Sequence, residues 1–274
     1  MDEWNSPTDL STFRFRRRTP GTFVLVPFPK QGRSIRCQGQ LEAAAARVLA
    51  ACPLVEEIRE QPLAIHYSWS DVTEELTLLD GPPTKEFRKK NRCSYVVADF
   101  LVSFACGRKR LVEIKPSHKL ARPLTQRKLQ VARLFALAQG WTYHVVTERE
   151  LFTGPLLANV RLLGRFRQLQ VDPLVLKQIV DCVTVQPLTL SEIAQRFDTL
   201  ETASLRAAVF HLVAVERLSL DVMQEPISAA TLILPERRYL WDPFVSAWEP
   251  SGSSTNGIIA SYANSIPTRS SPKT

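Results

Sequence analysis

The 274-residue sequence contains no uninterrupted apolar run near the ~18 residues that a membrane span needs, so no segment is expected to cross a bilayer. It contains no Cys-x-x-Cys pair, and its five cysteines (Cys37, Cys52, Cys93, Cys106 and Cys182) are odd in number and scattered. The four histidines do not cluster near them. That pattern argues against a zinc site and for reduced thiols in a cytosolic protein. The opening stretch, MDEWNSPTDLS, lacks the charged-then-apolar order of a secretory signal, so export is not expected. There is no internal repeat.

Against these absences stand an ample apolar content and a surplus of positive charge. Hydrophobic residues make up 45% and charged residues 23%, enough for a core in each of roughly two domains. A disordered chain is thereby excluded. Lys and Arg number 35 against 27 Asp and Glu, a net of +8. A basic balance in a chain of this size points to a polyanionic partner, most often nucleic acid. The surplus is uneven. Residues 1–167 carry 27 basic and 16 acidic residues, a net of +11, whereas residues 168–274 carry 8 and 11, a net of −3. The polyanion is therefore expected to meet the N-terminal part.

Residues 1–20 read as a polar arm ending in Phe13-Arg14-Phe15-Arg16-Arg17-Arg18. Such a run is either a solvated charge cluster or a phosphate or partner contact. Residues 21–167 form the first domain. Gln40 to Ala51 is rich in strong helix formers and stops before Pro53. Residues 55–67 read as one strand, and residues 71–92, with Gly81-Pro82-Pro83 and the basic tract Lys85 to Arg92, as a loop. Two β-rich runs within residues 94–116 flank Cys106-Gly107-Arg108-Lys109, which signals a hairpin. A helix over residues 122–139, stopped by Gly140, and a strand over Trp141 to Thr147 complete a mixed sheet flanked by helices. Thr147-Glu148 would open a short helix.

Residues 168–250 read as a second domain. Asp172-Pro173 caps a helix through about Val183, and a second helix spans Pro187 to Phe197, with Thr189 or Ser191 as its cap. A third covers Thr202–Arg217 and an extended run covers Leu218–Leu234. Helices around a tight turn followed by extended chain predict a winged helix-turn-helix. Residues 251–274, rich in Ser, Asn, Pro and Thr, read as a disordered tail.

The chemistry sits in the hairpin. Glu113 and Lys115 are two apart, hence on one face of a strand. A turn centred on Gly107 sets Asp99 across from Lys115, on that same face. Two carboxylates and an ammonium on an apolar sheet are costly unless they meet each other or a cation. Carboxylate oxygens from Asp99 and Glu113 suit Mg²⁺ or Mn²⁺, which bind phosphate oxygens and acidify a bound water. Lys115 would then orient that water or stabilise developing negative charge. Read from spacing alone, the same residues also fit an ordinary ion pair on a solvated face.

The stretches QLEAAAARVLAA, EEIREQPLAIHY, YVVADFLVSF, LVEIKP, ALAQGWTYHVVTERE and NVRLLGRFR, in this order over roughly residues 30–167, resemble the TnsA-type endonuclease subunit of heteromeric, Tn7-like bacterial transposases. The resemblance implies an α/β restriction-endonuclease-like nuclease core with a C-terminal winged-helix domain. It implies cleavage of the 5′ strands at transposon ends, a DDE-class transposase partner that cuts the 3′ strands, and a AAA+ ATPase regulator. It also implies a Mg²⁺-dependent cytoplasmic bacterial enzyme acting on double-stranded DNA. The family's helix carboxylate falls on Glu42, with Glu56 and Glu57 as competitors. Its strand aspartate falls on Asp99 and its [EQ]-x-K pair on Glu113 and Lys115, so that Glu42, Asp99 and Glu113 become the expected metal ligands. Arg14, Arg16, Arg17, Arg18 and Lys128 are the expected DNA contacts. His118 and Gln126 are weaker candidates. A stand-alone restriction-like or repair nuclease and a non-enzymatic DNA-binding regulator are the other readings that this sequence admits.

Overall fold

The computed structural model describes residues 23–70, 72, 73 and 75–244. The expected arm over residues 1–20, with Arg14, Arg16, Arg17 and Arg18, and the expected tail over residues 251–274 lie outside them.

A hairpin of β1 (Val24–Phe28) and β2 (Arg33–Cys37) opens the described chain, turning at Gly32 with φ +62°. Helix α1 (Gln40–Ala51) follows, and Ala43 through Ala46 are all fully buried. Methyl side chains let neighbouring backbones approach closely, which is why an alanine-rich helix can be enclosed by β1, β2, β3 (Val55–Glu60) and α5 (Leu156–Gly164). The central sheet has the order β3-β7-β8-β9, with β7 (Phe100–Phe104), β8 (Lys109–Ile114) and β9 (Thr142–Val146). Pairs β3·β7 and β7·β8 are antiparallel and β8·β9 is parallel. The crossover between β8 and β9 is α3 (Pro123–Ala138), so the mixed sheet is covered by α1 on one face and α3 on the other. Helix α4 (Glu148–Phe152) follows β9, with Thr147 N–H donating to Glu150 Oε2 at 3.1 Å.

Three expectations are corrected here. The single strand over residues 55–67 is broken into β3 and β4 (Ala64–Trp69), because Gln61 takes φ +45° and Pro62 has no N–H to continue a ladder. The loop over residues 71–92 contains β5 (Leu76–Leu79) and α2 (Lys85–Lys90), the latter capped by Thr84 Oγ1 accepting from Phe87 N–H at 3.2 Å. The first β-rich run of the hairpin splits into β6 (Arg92–Val97) and β7, separated by Ala98 and Asp99. Strands β5, β4 and β6 pair in that order as a second antiparallel sheet, and α3 packs on one of its faces.

The C-terminal elements are α6 (Pro173–Val185), β10 (Leu188–Thr189), α7 (Leu190–Arg196), α8 (Thr202–Ala214), β11 (Leu218–Ser219) and β12 (Leu232–Pro235). Asp172 Oδ1 caps α6 by accepting from Leu174 N–H at 2.8 Å, and Thr189 caps α7. The expected continuous extended run over Leu218–Leu234 is corrected: only its two ends are strands, joined in the sheet order β10-β12-β11. Its middle is held instead by Asn159 on α5. Asn159 Nδ2 donates to the carbonyls of Val222 (3.0 Å) and Glu225 (2.8 Å), and Oδ1 accepts from Ile227 N–H at 3.1 Å. One hydrophobic core runs from α1 through α5 into α6 and α8 without a break.

Candidate active site

Asp99 occupies the two-residue step by which the chain leaves the second sheet and enters the first. Its backbone carbonyl accepts from Gln61 N–H at 2.9 Å, so the break in the β3–β4 run fixes the same corner. Its Oδ2 accepts from Ile114 N–H at 2.6 Å, which holds the carboxylate at the end of β8. The ladder pairs Phe100 with Val112, so Asp99 continues it beside Glu113, two residues away from the pairing with Lys115 expected from the sequence. Strand side chains alternate with period two, so a two-residue slip leaves all three residues on one face.

Asp99, Glu113 and Lys115 do come together. Lys115 Nζ lies 2.5 Å from Glu113 Oε1 and 3.4 Å from Asp99 Oδ2, and donates to the Ile114 carbonyl at 3.1 Å. Glu113 is 3% exposed, and its Oε2 is buried with no hydrogen-bond partner among the described residues. Glu42, in the first turn of α1, is held apart from this trio: its Oε2 accepts from Gln38 N–H at 2.7 Å. It nonetheless feels the charges of Asp99 and Lys115. Of its competitors, Glu57 is engaged by Arg59 at 2.7 Å and by Ser103 Oγ at 3.1 Å.

The electrostatics follow from burial among like charges. Glu113 is pushed up to about 8, first by desolvation and then by the Asp99 charge, against the pull of Lys115. Glu42 is pushed up to about 7 by desolvation and then by Asp99, against the Gln38 N–H and Lys115. Desolvation works against the Lys115 charge, but Asp99 and Glu113 outweigh it and hold the ammonium above its ordinary range. Carboxylates so raised are those whose ionised form a nearby cation would stabilise.

Among the described residues, no group of three or more carboxylate, imidazole or thiolate side chains is gathered closely enough to hold a metal ion. Mg²⁺ does not require one, because it is commonly bound through one or two carboxylates and completes its shell with water. The unpartnered Glu113 Oε2 and the adjacent Asp99 carboxylate fit that chemistry.

Lys128, expected to touch DNA, lies half-buried on α3. Gln126 Nε2 donates to the Leu120 carbonyl and so closes the turn before α3. Thr147 and Glu148 open α4 as expected, and the Glu148 side chain turns to another element. It accepts from Ser117 N–H at 2.8 Å and from Ser117 Oγ, tying the turn after Lys115 to the end of β9.

Tyr143 was not anticipated. Parallel pairing sets it beside Leu111 on the face that carries Glu113, and its hydroxyl is buried without a hydrogen-bond partner among the described residues. Desolvation, then Glu113 and Asp99, push its pKa well up. The signal was available in principle, since β9 neighbours β8 and alternate residues share a face, but it required the parallel register.

Residues 52–148 match the family described as TnsA-like endonuclease N terminal. That segment is TnsA-like. The match contains Asp99, Glu113, Lys115 and Lys128, while Glu42 on α1 precedes it. The resemblance to a TnsA-type endonuclease subunit therefore holds across the segment that carries Asp99, Glu113 and Lys115. No curated protein matches the chain.

Proposed function

We propose that the chain is the endonuclease subunit of a Tn7-like transposase, hydrolysing the 5′ strands of double-stranded DNA at transposon ends in the bacterial cytoplasm. The observation that carries this reading is the buried Glu113 carboxylate, with Oε1 at 2.5 Å from Lys115 and Oε2 unpaired, beside Asp99 in a TnsA-like segment.

Asp99 and Glu113 would hold Mg²⁺ or Mn²⁺; Glu42, set apart from them on Gln38 N–H, stands as a candidate third ligand. When bound, the ion supplies Lewis-acid activation of water and neutralises charge on the phosphoryl oxygens. The rest belongs to this chain. The Ile114 N–H fixes Asp99, and the Ile114 carbonyl and Glu113 fix the Lys115 ammonium. The Lys115 ammonium, held there, would set its positive charge beside the scissile phosphate, orienting the attacking water and stabilising negative charge as the phosphorus–oxygen bond breaks. The surrounding apolar sheet excludes bulk water, which strengthens these interactions.

The order α6-β10-α7-α8-β11-β12, with its three-stranded sheet, supports a winged-helix module over residues 168–250. Its net negative charge favours protein docking over duplex binding, and the AAA+ regulator is the partner proposed for it. The second partner is a DDE-class transposase that cuts the other strand.

The test is strand-specific nicking in Mg²⁺ of duplexes carrying the element's ends, with and without the transposase and regulator. The expected result is weak cutting by the chain alone and 5′-strand cutting with its partners. Robust, sequence-specific cutting by the chain alone would replace this reading with a stand-alone restriction-like nuclease.

A further inference from the structure

The charge of the molecule is concentrated far more sharply than its two halves suggest. Residues 85–133 carry 14 Lys and Arg against three Asp and Glu, a net of +11, while the rest of the chain carries 21 against 24, a net of −3. Two of those three acids are Asp99 and Glu113. The densest part of this positive segment is α2, four of whose six residues are Lys85, Arg88, Lys89 and Lys90.

We propose that α2 is a phosphate-binding clamp for duplex DNA, delivering the backbone of the substrate to the Asp99–Glu113–Lys115 site. This rests on the nuclease reading above, and it adds a contact surface distant from the reacting atoms.

The sequence pattern and the local structure carry the argument. Lys85, Arg88 and Lys89 are spaced i, i+3, i+4 and share one helix face. All four cations are exposed, and among the described residues none makes an ion pair or a side-chain hydrogen bond. Like charges at i, i+4 repel, and Lys85 sits in the first turn, where the helix dipole disfavours a cation. Cations at the helix C-terminus are ordinary; Lys85 beside Lys89 is not, and on α2 only Glu86 stands against the four cations. A polyanion would compensate them.

The position is also suitable. Helix α2 packs against β6, and β6 runs from α2 directly to Asp99. The eight residues from Asn91 to Asp99 reach at most about 26 Å at ~3.3 Å each. At ~3.4 Å per base pair, that is within about eight base pairs of the bond cut. Helix α3 covers only one face of the β5-β4-β6 sheet. The other face presents Tyr95, 41% exposed, in ring contact with His66, whose pKa is lowered by burial and then by the nearby Arg88 charge. A sheet face that presents an exposed tyrosine beside a basic helix is the kind of surface on which a duplex backbone can rest.

The experiment uses the full chain and a mixed-sequence 30-base-pair duplex, with affinity measured by fluorescence anisotropy across a salt series. The triple variant Lys85→Ala/Arg88→Ala/Lys89→Ala should keep the wild-type circular dichroism and lower the slope of log K against log salt by nearly 3, at ~0.9 per phosphate contact. Affinity at 0.1 M salt should fall roughly tenfold or more. The conservative variant Lys85→Arg/Lys89→Arg should keep both. A triple variant with wild-type slope and affinity overturns the proposal, as does a change seen with a single-stranded oligonucleotide but not with the duplex. Cleavage by Asp99→Asn, read on duplexes carrying the element's ends with the transposase and regulator present, separates the two claims. Persistent cutting by that variant sinks the nuclease reading even if α2 binds, and unchanged binding by the triple variant sinks the clamp even if Asp99 is essential.

Discussion

Asn159 and Glu113 are both 3% exposed, yet the molecule treats them in opposite ways. Both amide hydrogens and the carbonyl oxygen of Asn159 are engaged, and together they pin the chain between β11 and β12 to α5. Glu113 has one oxygen against Lys115 and the other without a hydrogen-bond partner among the described residues, with the Asp99 charge as a repelling neighbour. The same contrast separates the bidentate pair of Arg110 with Asp242, at 2.6 and 2.7 Å, from the crowded Asp99–Glu113–Lys115 cluster. Satisfied polar groups at the junction of the C-terminal elements fix structure. An unsatisfied, self-repelling group on the central sheet costs stability, and is retained where a ligand or substrate relieves it.

Breaking each side of the comparison should therefore give different readouts. The largest effect is expected from Lys115→Ala, which should lower Mg²⁺-dependent strand cleavage by roughly 10³-fold, about 4 kcal/mol in the barrier. Duplex affinity should change little, so single-turnover cleavage is the measurement that checks it.

On the structural side, Asp242→Ala should lower unfolding free energy by roughly 3 kcal/mol in urea titrations, because it strands the buried Arg110 guanidinium. Burial alone would raise the Asp242 pKa, but the Arg110 bonds and charge outweigh it and hold it below its ordinary value. The sign follows: the stability it contributes is fully present above the unfolded value of 3.8 and is lost as pH falls through the lower folded value. The wild type should thus lose its advantage over Asp242→Asn only below about pH 4.

A smaller effect, on the order of 2 kcal/mol, is expected for Asn159→Ala, which leaves two carbonyls and an N–H without their partner. Cleavage at a temperature well below the unfolding midpoint should be nearly unchanged. A large loss of cleavage from Asn159→Ala without loss of stability would blur the comparison.

How much of this was legible in the sequence depends on how local the signal is. Helix α1 spans Gln40–Ala51 as composition indicates, and α3 and the Gly107 turn also agree with the sequence reading. The β3–β4 break was hidden, because Gln61-Pro62 interrupts a run whose apolar alternation continues on both sides of it. The strand β5 and the helix α2 were hidden beneath Gly81-Pro82-Pro83 and a dense charge run, both of which read as loop. At the site, Asp99, Glu113 and Lys115 were legible because period-two alternation is robust to a slip of two residues. Tyr143 was not, since it reaches the site through the parallel β8·β9 pairing, a non-local contact that no spacing within β9 encodes.

Asp99→Asn, measured in one preparation for Mg²⁺-dependent duplex cleavage and for thermal unfolding, bears on the hydrolytic site more directly than any other variant. The substitution keeps an acceptor for the Ile114 N–H and removes one of the charges that repel Glu113 and Glu42. The predicted result is loss of cleavage with an unfolding midpoint equal to or above that of the wild type. Undiminished Mg²⁺-dependent cutting by this variant would contradict the assignment of the hydrolytic site.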